Sequence, residues 1–213
     1  MGQYYVPTLL GKRYGVKGWL RSFDYDNGLK LMEHSYMGNN FVNAVLFFIM
    51  CSPMRVAWIG DYSESPYEGN EPYQKLPKEQ FDKIWSSVWD DPVKARKLKP
   101  TPIYGFEEPA KFDGWYLINH TRKSYVDLGR FFRENSWIER WHKPDGSEEM
   151  YTMCIHPLPL LTACGNDRGG GDYRGRYPDH NKVGLWAFDI IEMNDGVDEG
   201  YTEEVYRFKE EEE

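Results

Sequence analysis

Cysteine is scarce. The chain of 213 residues has Cys51, Cys154 and Cys164, an odd number with no CxxC pair. That excludes a disulfide framework and fits free, buried thiols in a reducing compartment. The five histidines (His34, His120, His142, His156, His180) show neither HxxxH nor HxH spacing. A metal site would have to be assembled from distant segments, so neither metal nor cofactor is expected. GxxxxGK[ST], GxGxxG and GxSxG are all missing, which removes the P-loop, dinucleotide-fold and hydrolase-elbow readings. The longest apolar run, Phe41 to Cys51, is too short to span a bilayer. MGQYYVPTLL has no basic stretch leading into an apolar one, and Val6 stands where a myristoylation signal needs Ser or Thr. A soluble cytoplasmic protein without a membrane partner is the expectation.

Positive charge is also in deficit. Lys and Arg number 26 against 34 Asp and Glu, a formal charge of -8. A general DNA- or RNA-binding surface needs the opposite balance, whereas a small anionic ligand needs only a locally basic pocket. Half of the excess lies in Glu210 to Glu213. The chain accordingly reads as one globular domain over 1–206 and an acidic, flexible tail over 207–213. Aromatic residues are plentiful at 16%, with 8 Trp and 16 Tyr. Such content excludes a disordered chain, implies many partly buried rings, and favours strands.

Along the chain, Tyr4 to Leu10 reads as a strand, Gly11 to Gly18 as a turn, and Trp19 to Phe23 as the returning strand. Phe41 to Met50 is apolar on nearly every face, so it reads as a central buried helix stopped by Pro53. Met54 to Gly60 reads as a central strand. Lys78 to Asp90 carries Phe81, Ile84, Trp85 and Val88 at helical spacing after Pro77, which gives an amphipathic helix. The basic stretch Lys94 to Lys99 then reads as a solvated helix end. Trp115 to Leu128 forms a hairpin around Asn119 to Lys123. A second hairpin turns at Lys143-Pro-Asp-Gly146, and Val183 to Met193 makes a last core strand. The order predicts an α+β fold: a mostly antiparallel sheet with hairpins, one buried apolar helix and one amphipathic helix.

The densest glycine content lies between Leu160 and the last strand, in a loop with Gly165, Gly169, Gly170, Gly171 and Gly175. Glycine at this density serves either positive-φ turns or close backbone approach to a ligand. Backbone N–H groups with guanidinium forks suit phosphate or carboxylate. Asn166, Arg168, Gly169, Gly170, Gly171, Asp172, Tyr173 and Arg174 are therefore the candidate ligand-binding residues. The alternative pairs Arg168 and Arg174 with Asp167 and Asp172 and makes the loop structural. Trp58, Asp61 and Tyr62 join the candidates, because an acid just past a buried strand end sits where sheet proteins place ligand-facing groups. For Asp61 the alternative is a turn cap. Asp189 interrupts an aromatic strand, where it is either solvent-exposed or paired with a buried arginine, and exposure is its expected state. His120 and His142 lie in or beside turns and are expected to be exposed, while His156 before Pro157 reads as a hydrogen-bonded structural residue.

MGQYYVPTLL, YDNGLKLMEHSYMGNNFVNAV, MRVAWIGDY, YLINHTRKSYVDL, HPLPLLTACGNDRGGGDYRG and VGLWAFDIIEM together resemble a family of bacterial and bacteriophage proteins that begin MGQYY. MGQYY, WIGDY and LINHTRKSY are also similar to fungal proteins with the same order of segments. The resemblance implies one undivided domain and an intracellular, phage-linked origin, and it carries no activity and no catalytic residue. The residues and the resemblance together suggest a protein that binds a phosphorylated or nucleotide-like molecule, such as a phage protein sequestering a host nucleotide immune signal. A base could stack on Tyr173, Trp58, Tyr62 or Trp186. The alternatives are an enzyme acting on a nucleotide, with Asp61, Asp172 or His120 as acid or base, and an interaction module using aromatic surface and acidic tail.

Overall fold

A computed structural model describes residues 3–63, 76–92, 96–165 and 178–209. The first strand, β1 (Tyr5–Leu10), is buried along its whole length. It turns back tightly through Gly11 N–H to the Gly15 carbonyl, 2.9 Å, into β2 (Val16–Trp19). The return strand thus begins earlier than Trp19, because five residues suffice for the turn when Tyr14 takes a left-handed φ of 62°. Ser22 and Phe23, expected in that strand, instead open a 3₁₀ turn over Ser22–Tyr25.

The short α1 (Leu31–His34) precedes α2 (Asn40–Cys51), the expected apolar helix. Asn39 caps α2 by accepting the Phe41 N–H at 2.8 Å. Next comes β3 (Met54–Gly60), antiparallel to β1 with Tyr5 opposite Gly60 and Leu10 opposite Arg55. Alternation along β3 sends Val56 and Trp58 into one apolar cluster with Phe41, Val45 and Ile49 of α2. Ala57 and Ile59 enter a second cluster with Phe81 and Ile84 of α3 (Lys78–Trp89). A strand covered on both faces has no polar row, which is why its sequence reads as a continuous apolar run.

The hairpin β4 (Tyr116–Asn119) and β5 (Ser124–Asp127) leads into α4 (Leu128–Asn135), whose N-cap Asp127 accepts the Arg130 N–H at 2.9 Å. A second hairpin, β6 (Trp137–His142) and β7 (Glu148–Met153), forms a sheet of its own. The chain then makes α5 (Pro157–Leu161), β8 (Ala163–Cys164), β9 (Ile190–Asn194) and β10 (Thr202–Glu203). The main sheet has the order β10-β5-β4-β9-β3-β1-β2, with β8 also paired to β3. Antiparallel pairing dominates, and the α+β class with its buried and amphipathic helices is observed.

Three expectations are corrected by packing. The strand over Val183 to Met193 begins only at Ile190: before it, Gly184 N–H bonds the Leu160 carbonyl (2.7 Å), Trp186 N–H bonds Leu161 (2.6 Å) and Phe188 N–H bonds Val56 (2.9 Å). Trp186 and Phe188 enter different clusters from this folded turn, so their spacing mimics a strand without forming one. Phe208, assigned by sequence to the tail, is fully buried, and Asn135 holds it by accepting its N–H at 2.8 Å.

The third correction concerns the basic stretch. Arg96 to Leu98 extends the sheet beyond β2 rather than ending a helix, with Trp19 N–H to the Arg96 carbonyl at 3.1 Å and Leu98 N–H to the Trp19 carbonyl at 2.8 Å. This approach requires Gly18, because a Cβ there would meet the Leu98 side chain and lie 2.8 Å from the Arg96 backbone oxygen. Gly18→Ala should therefore destabilise the fold by about 1–3 kcal/mol in urea unfolding. Gly15→Ala, where a Cβ meets nothing within 4 Å, should stay within about 0.5 kcal/mol of the parent. Equal effects at both positions would remove the close approach as the reason for glycine.

Candidate functional site

β3 and β8 run parallel, with Trp58 opposite Ala163 and Ile59 opposite Cys164. Their C-terminal ends therefore emerge together, beside the start of β1. Ser63 ties them by donating its hydroxyl to the Cys164 carbonyl while accepting the Gly60 N–H at 2.9 Å. The Gly60 carbonyl in turn accepts the Trp85 indole N–H at 3.1 Å. Gln3, fully buried, fills the corner. Its amide donates to the Tyr5 hydroxyl at 2.8 Å and accepts from the Tyr62 and Ser63 N–H groups at 3.2 and 3.1 Å. Gly60 and Gly165 both lie against this amide, and a Cβ on Gly165 would stand 2.6 Å from it. Two glycines are needed here because backbone from two strands closes on one buried side chain.

Asp61 faces Tyr4 across the strand ends. Its carboxylate accepts the Tyr4 N–H at 3.0 Å, and its own N–H bonds the Tyr4 carbonyl at 3.0 Å. Burial raises its pKa from the ordinary aspartate value, opposed by the N–H groups of Tyr4, Asp61 and Tyr62. The Asp61 carboxylate thus bonds the neighbouring strand end. Tyr62 beside it is exposed at 52%. Trp58 is not available to a ligand: its ring is fully buried and its indole N–H donates to His34 Nε2 at 3.1 Å. Trp186 is likewise fully buried. Asn166, Arg168, Gly169, Gly170, Gly171, Asp172, Tyr173 and Arg174 lie outside the described residues, as does the Asp167 of the alternative pairing.

A second polar cluster joins the β4–β5 turn to β9, and two expectations change there. His120 is not exposed but half-buried, with Nε2 2.7 Å from Glu192 Oε2 and Nδ1 3.0 Å from the Tyr201 hydroxyl. Asp189 is not exposed either: it is 1% accessible, and its Oδ2 accepts Arg122 Nε at 2.7 Å and Asn119 Nδ2 at 3.0 Å. Asn119 also accepts the Thr121 and Arg122 N–H groups at 3.0 Å each, which shapes the turn. Glu192, Tyr201 and Arg122 carry no sequence signal for this role, since the pairing of β4 with β9 and of β5 with β10 brings them together.

His156, His34, Cys154 and Cys164 are buried away from solvent. His156 caps α5 by accepting the Leu158 N–H at 3.1 Å, and burial lowers its pKa to about 3. His34 is lowered to about 4 by burial, against the Gly28 carbonyl and Glu33, which favour the charged form. Burial pushes the Cys154 and Cys164 thiols up to about 12, so neither supplies a thiolate near neutral pH, whereas Cys51 is exposed. Among the described residues no three His, Cys, Asp or Glu side chains gather closely enough to hold a metal ion. None of the described helices is long and apolar enough to cross a membrane. A crevice of about 10 Å³ beside α4, lined by Arg130, Glu134, Glu203 and Glu204, has room for little more than a water molecule. No protein-family model matches the chain, and no curated protein or solved structure is similar to it.

Proposed function

We propose that this chain is a binding protein for a small phosphorylated or nucleotide-like molecule, held by the Gly/Arg-rich stretch that continues from Gly165 at the sheet end carrying Asp61 and Tyr62. One observation supports this reading above the others. The parallel pairing of β3 with β8 sets Ile59 opposite Cys164, so WIGDY and Gly165, about 100 residues apart in sequence, meet at one end of the sheet. Strand C-termini are where sheet proteins collect ligand-facing loops. Tyr62 is an exposed ring there for base stacking, while Arg168 and Arg174 supply the anion-binding chemistry. The resemblance to bacteriophage proteins adds a setting, sequestration of a host nucleotide signal in the host cytoplasm. An acid–base enzyme centred on His120 is the weaker reading, because Glu192 and Tyr201 already occupy both ring nitrogens.

Thermal shift against a panel of nucleotides tests the proposal. Ligand at 100 times its dissociation constant should raise the melting temperature by about 5–10 °C. Arg168→Ala with Arg174→Ala should abolish that shift while leaving the ligand-free melting temperature unchanged. A panel with no stabilising nucleotide, or a double variant that melts early without ligand, would overturn the binding role of the loop.

A further inference from the structure

The β6–β7 hairpin belongs to no larger sheet among the described residues. It is tethered at its base, where Trp137 packs edge-on to Tyr36 with ring centroids 6.5 Å apart. Beyond that base Ile138, Trp141, Met150 and Tyr151 remain 59%, 61%, 66% and 42% exposed. A lone two-stranded ribbon is marginally stable in water, and large apolar side chains gathered on a projecting element mark an interaction surface.

The backbone identifies which groups face outward. Lys143 N–H donates to the Ser147 carbonyl at 2.8 Å and closes the turn. The antiparallel ladder alternates from there, so Trp141/Glu149, Glu139/Tyr151 and Trp137/Met153 are its hydrogen-bonded pairs. Glu148, Met150 and Thr152 therefore turn their N–H and C=O groups to the outer edge of β7, and Ile138, Arg140 and His142 do the same on β6.

Charge decides between the two edges and favours a second copy of the chain as occupant. A two-fold axis pairs a strand with itself in antiparallel sense, and two registers keep five of the six residues of either strand paired. On β6 these registers set Glu139 against Glu139 or Arg140 against Arg140, and like charges directly opposite destabilise. On β7 an axis at Met150 sets Met150 against Met150, Glu149 against Tyr151 and Glu148 against Thr152, with no like-charged pair. An axis at Tyr151 sets Glu149 against Met153 and gives the carboxylate no donor. The Glu149–Tyr151 match is chemically apt, because within one chain that carboxylate already accepts from the Tyr151 hydroxyl and pairs with Lys143 Nζ at 2.8 Å.

We propose that two copies of this chain associate through the outer edges of β7, antiparallel about a two-fold axis at Met150, to form a continuous four-stranded sheet β6–β7–β7–β6. An interface of this size belongs to the weak, micromolar class. Sedimentation equilibrium of the full chain from about 1 to 300 µM should show the mass rising toward twice that of one chain. Met150→Lys and Met150→Glu each place like charges across the axis. Each should raise the dissociation constant about tenfold or more without lowering the melting temperature, since Met150 is exposed. Mixing the two variants should restore a dimer containing one of each, identified by native mass spectrometry. A parent chain that stays monomeric at the highest concentration, a lysine variant that dimerises like the parent, or a mixture that fails to recover would each overturn the proposal.

Discussion

Acidification from pH 6.5 to 4 should cost this fold roughly 2 kcal/mol per pH unit, approaching two protons' worth in the middle of the window. Two imidazoles cause it. His34 is fully buried, accepts the Trp58 indole N–H on Nε2, and therefore donates from Nδ1 to the Gly28 carbonyl at 3.1 Å. His156 is fully buried and accepts the Leu158 N–H on Nδ1. Each ring is neutral because an accepting nitrogen has no proton, and protonation would break that bond inside an apolar cluster. Their folded pKa values, about 4 and about 3, lie below the ordinary 6.5. The unfolded chain thus binds more protons throughout the window, so the stabilisation is complete above pH 6.5 and is lost as pH falls. Asp61 works in the opposite direction within the carboxylate range, because its raised pKa lets the folded chain take up a proton early. It is one partly accessible group against two buried ones. A loss of more than about 5 kcal/mol is comparable with the entire stability of many domains. Urea unfolding followed by Trp fluorescence at several pH values measures the slope. His34→Gln keeps an acceptor for Trp58, and His156→Asn keeps a cap for α5. Together they should flatten the slope between pH 6.5 and 5, and an unchanged slope in that double variant would exclude the histidines as its cause.

The parts of the fold that were legible are those where local pattern and tertiary role agree. FVNAVLFFIM is apolar on every face because it is covered all round, and KEQFDKIWSSVW is amphipathic because one side meets β3 and the other meets water. The two hairpins announced themselves through their turns. Elements that depend on distant partners left no such trace: β8 and β10 have two residues each, defined by β3 and β5. α5 was hidden because PLPLL carries two prolines, tolerated there since the first turn of a helix has N–H groups without intrahelical partners. At the candidate site Asp61 was readable as a cap or a ligand group, and both readings predict the same residue at the same place. Trp58 was not readable as core, because composition near a strand end is silent on which face a ring takes. Strand parity with Val56, once the register is known, decides that at once.

Arg122→Ala should destabilise the chain by about 3–5 kcal/mol and lower its melting temperature by about 10 °C. The reason is asymmetric burial. Asp189 has a side chain only 2% accessible, while Arg122 is 23% accessible and reaches in from the turn with Nε at 2.7 Å. Removing the cation leaves a carboxylate where water has little access, with Asn119 Nδ2 among the donors that remain. The damage should spread along the turn. Thr121 Oγ1 accepts the Ile190 N–H and the His120 N–H bonds the Ile190 carbonyl, both at 2.9 Å, so the turn residues Asn119 to Arg122 also hold β9 in register. Asp189→Asn added to Arg122→Ala removes the stranded charge and should recover part of the loss, although each change alone destabilises. That non-additivity separates a buried ion pair from two independent packing defects. Arg130, which pairs with Glu134 at 2.9 Å and Glu203 at 3.2 Å on the exposed face of α4, provides the contrast. Its alanine variant should change stability far less, because water replaces whatever an exposed pair supplies. Equal losses at Arg122 and Arg130 would mean that Asp189 is solvated in solution and that the Arg122 pair adds nothing to the turn.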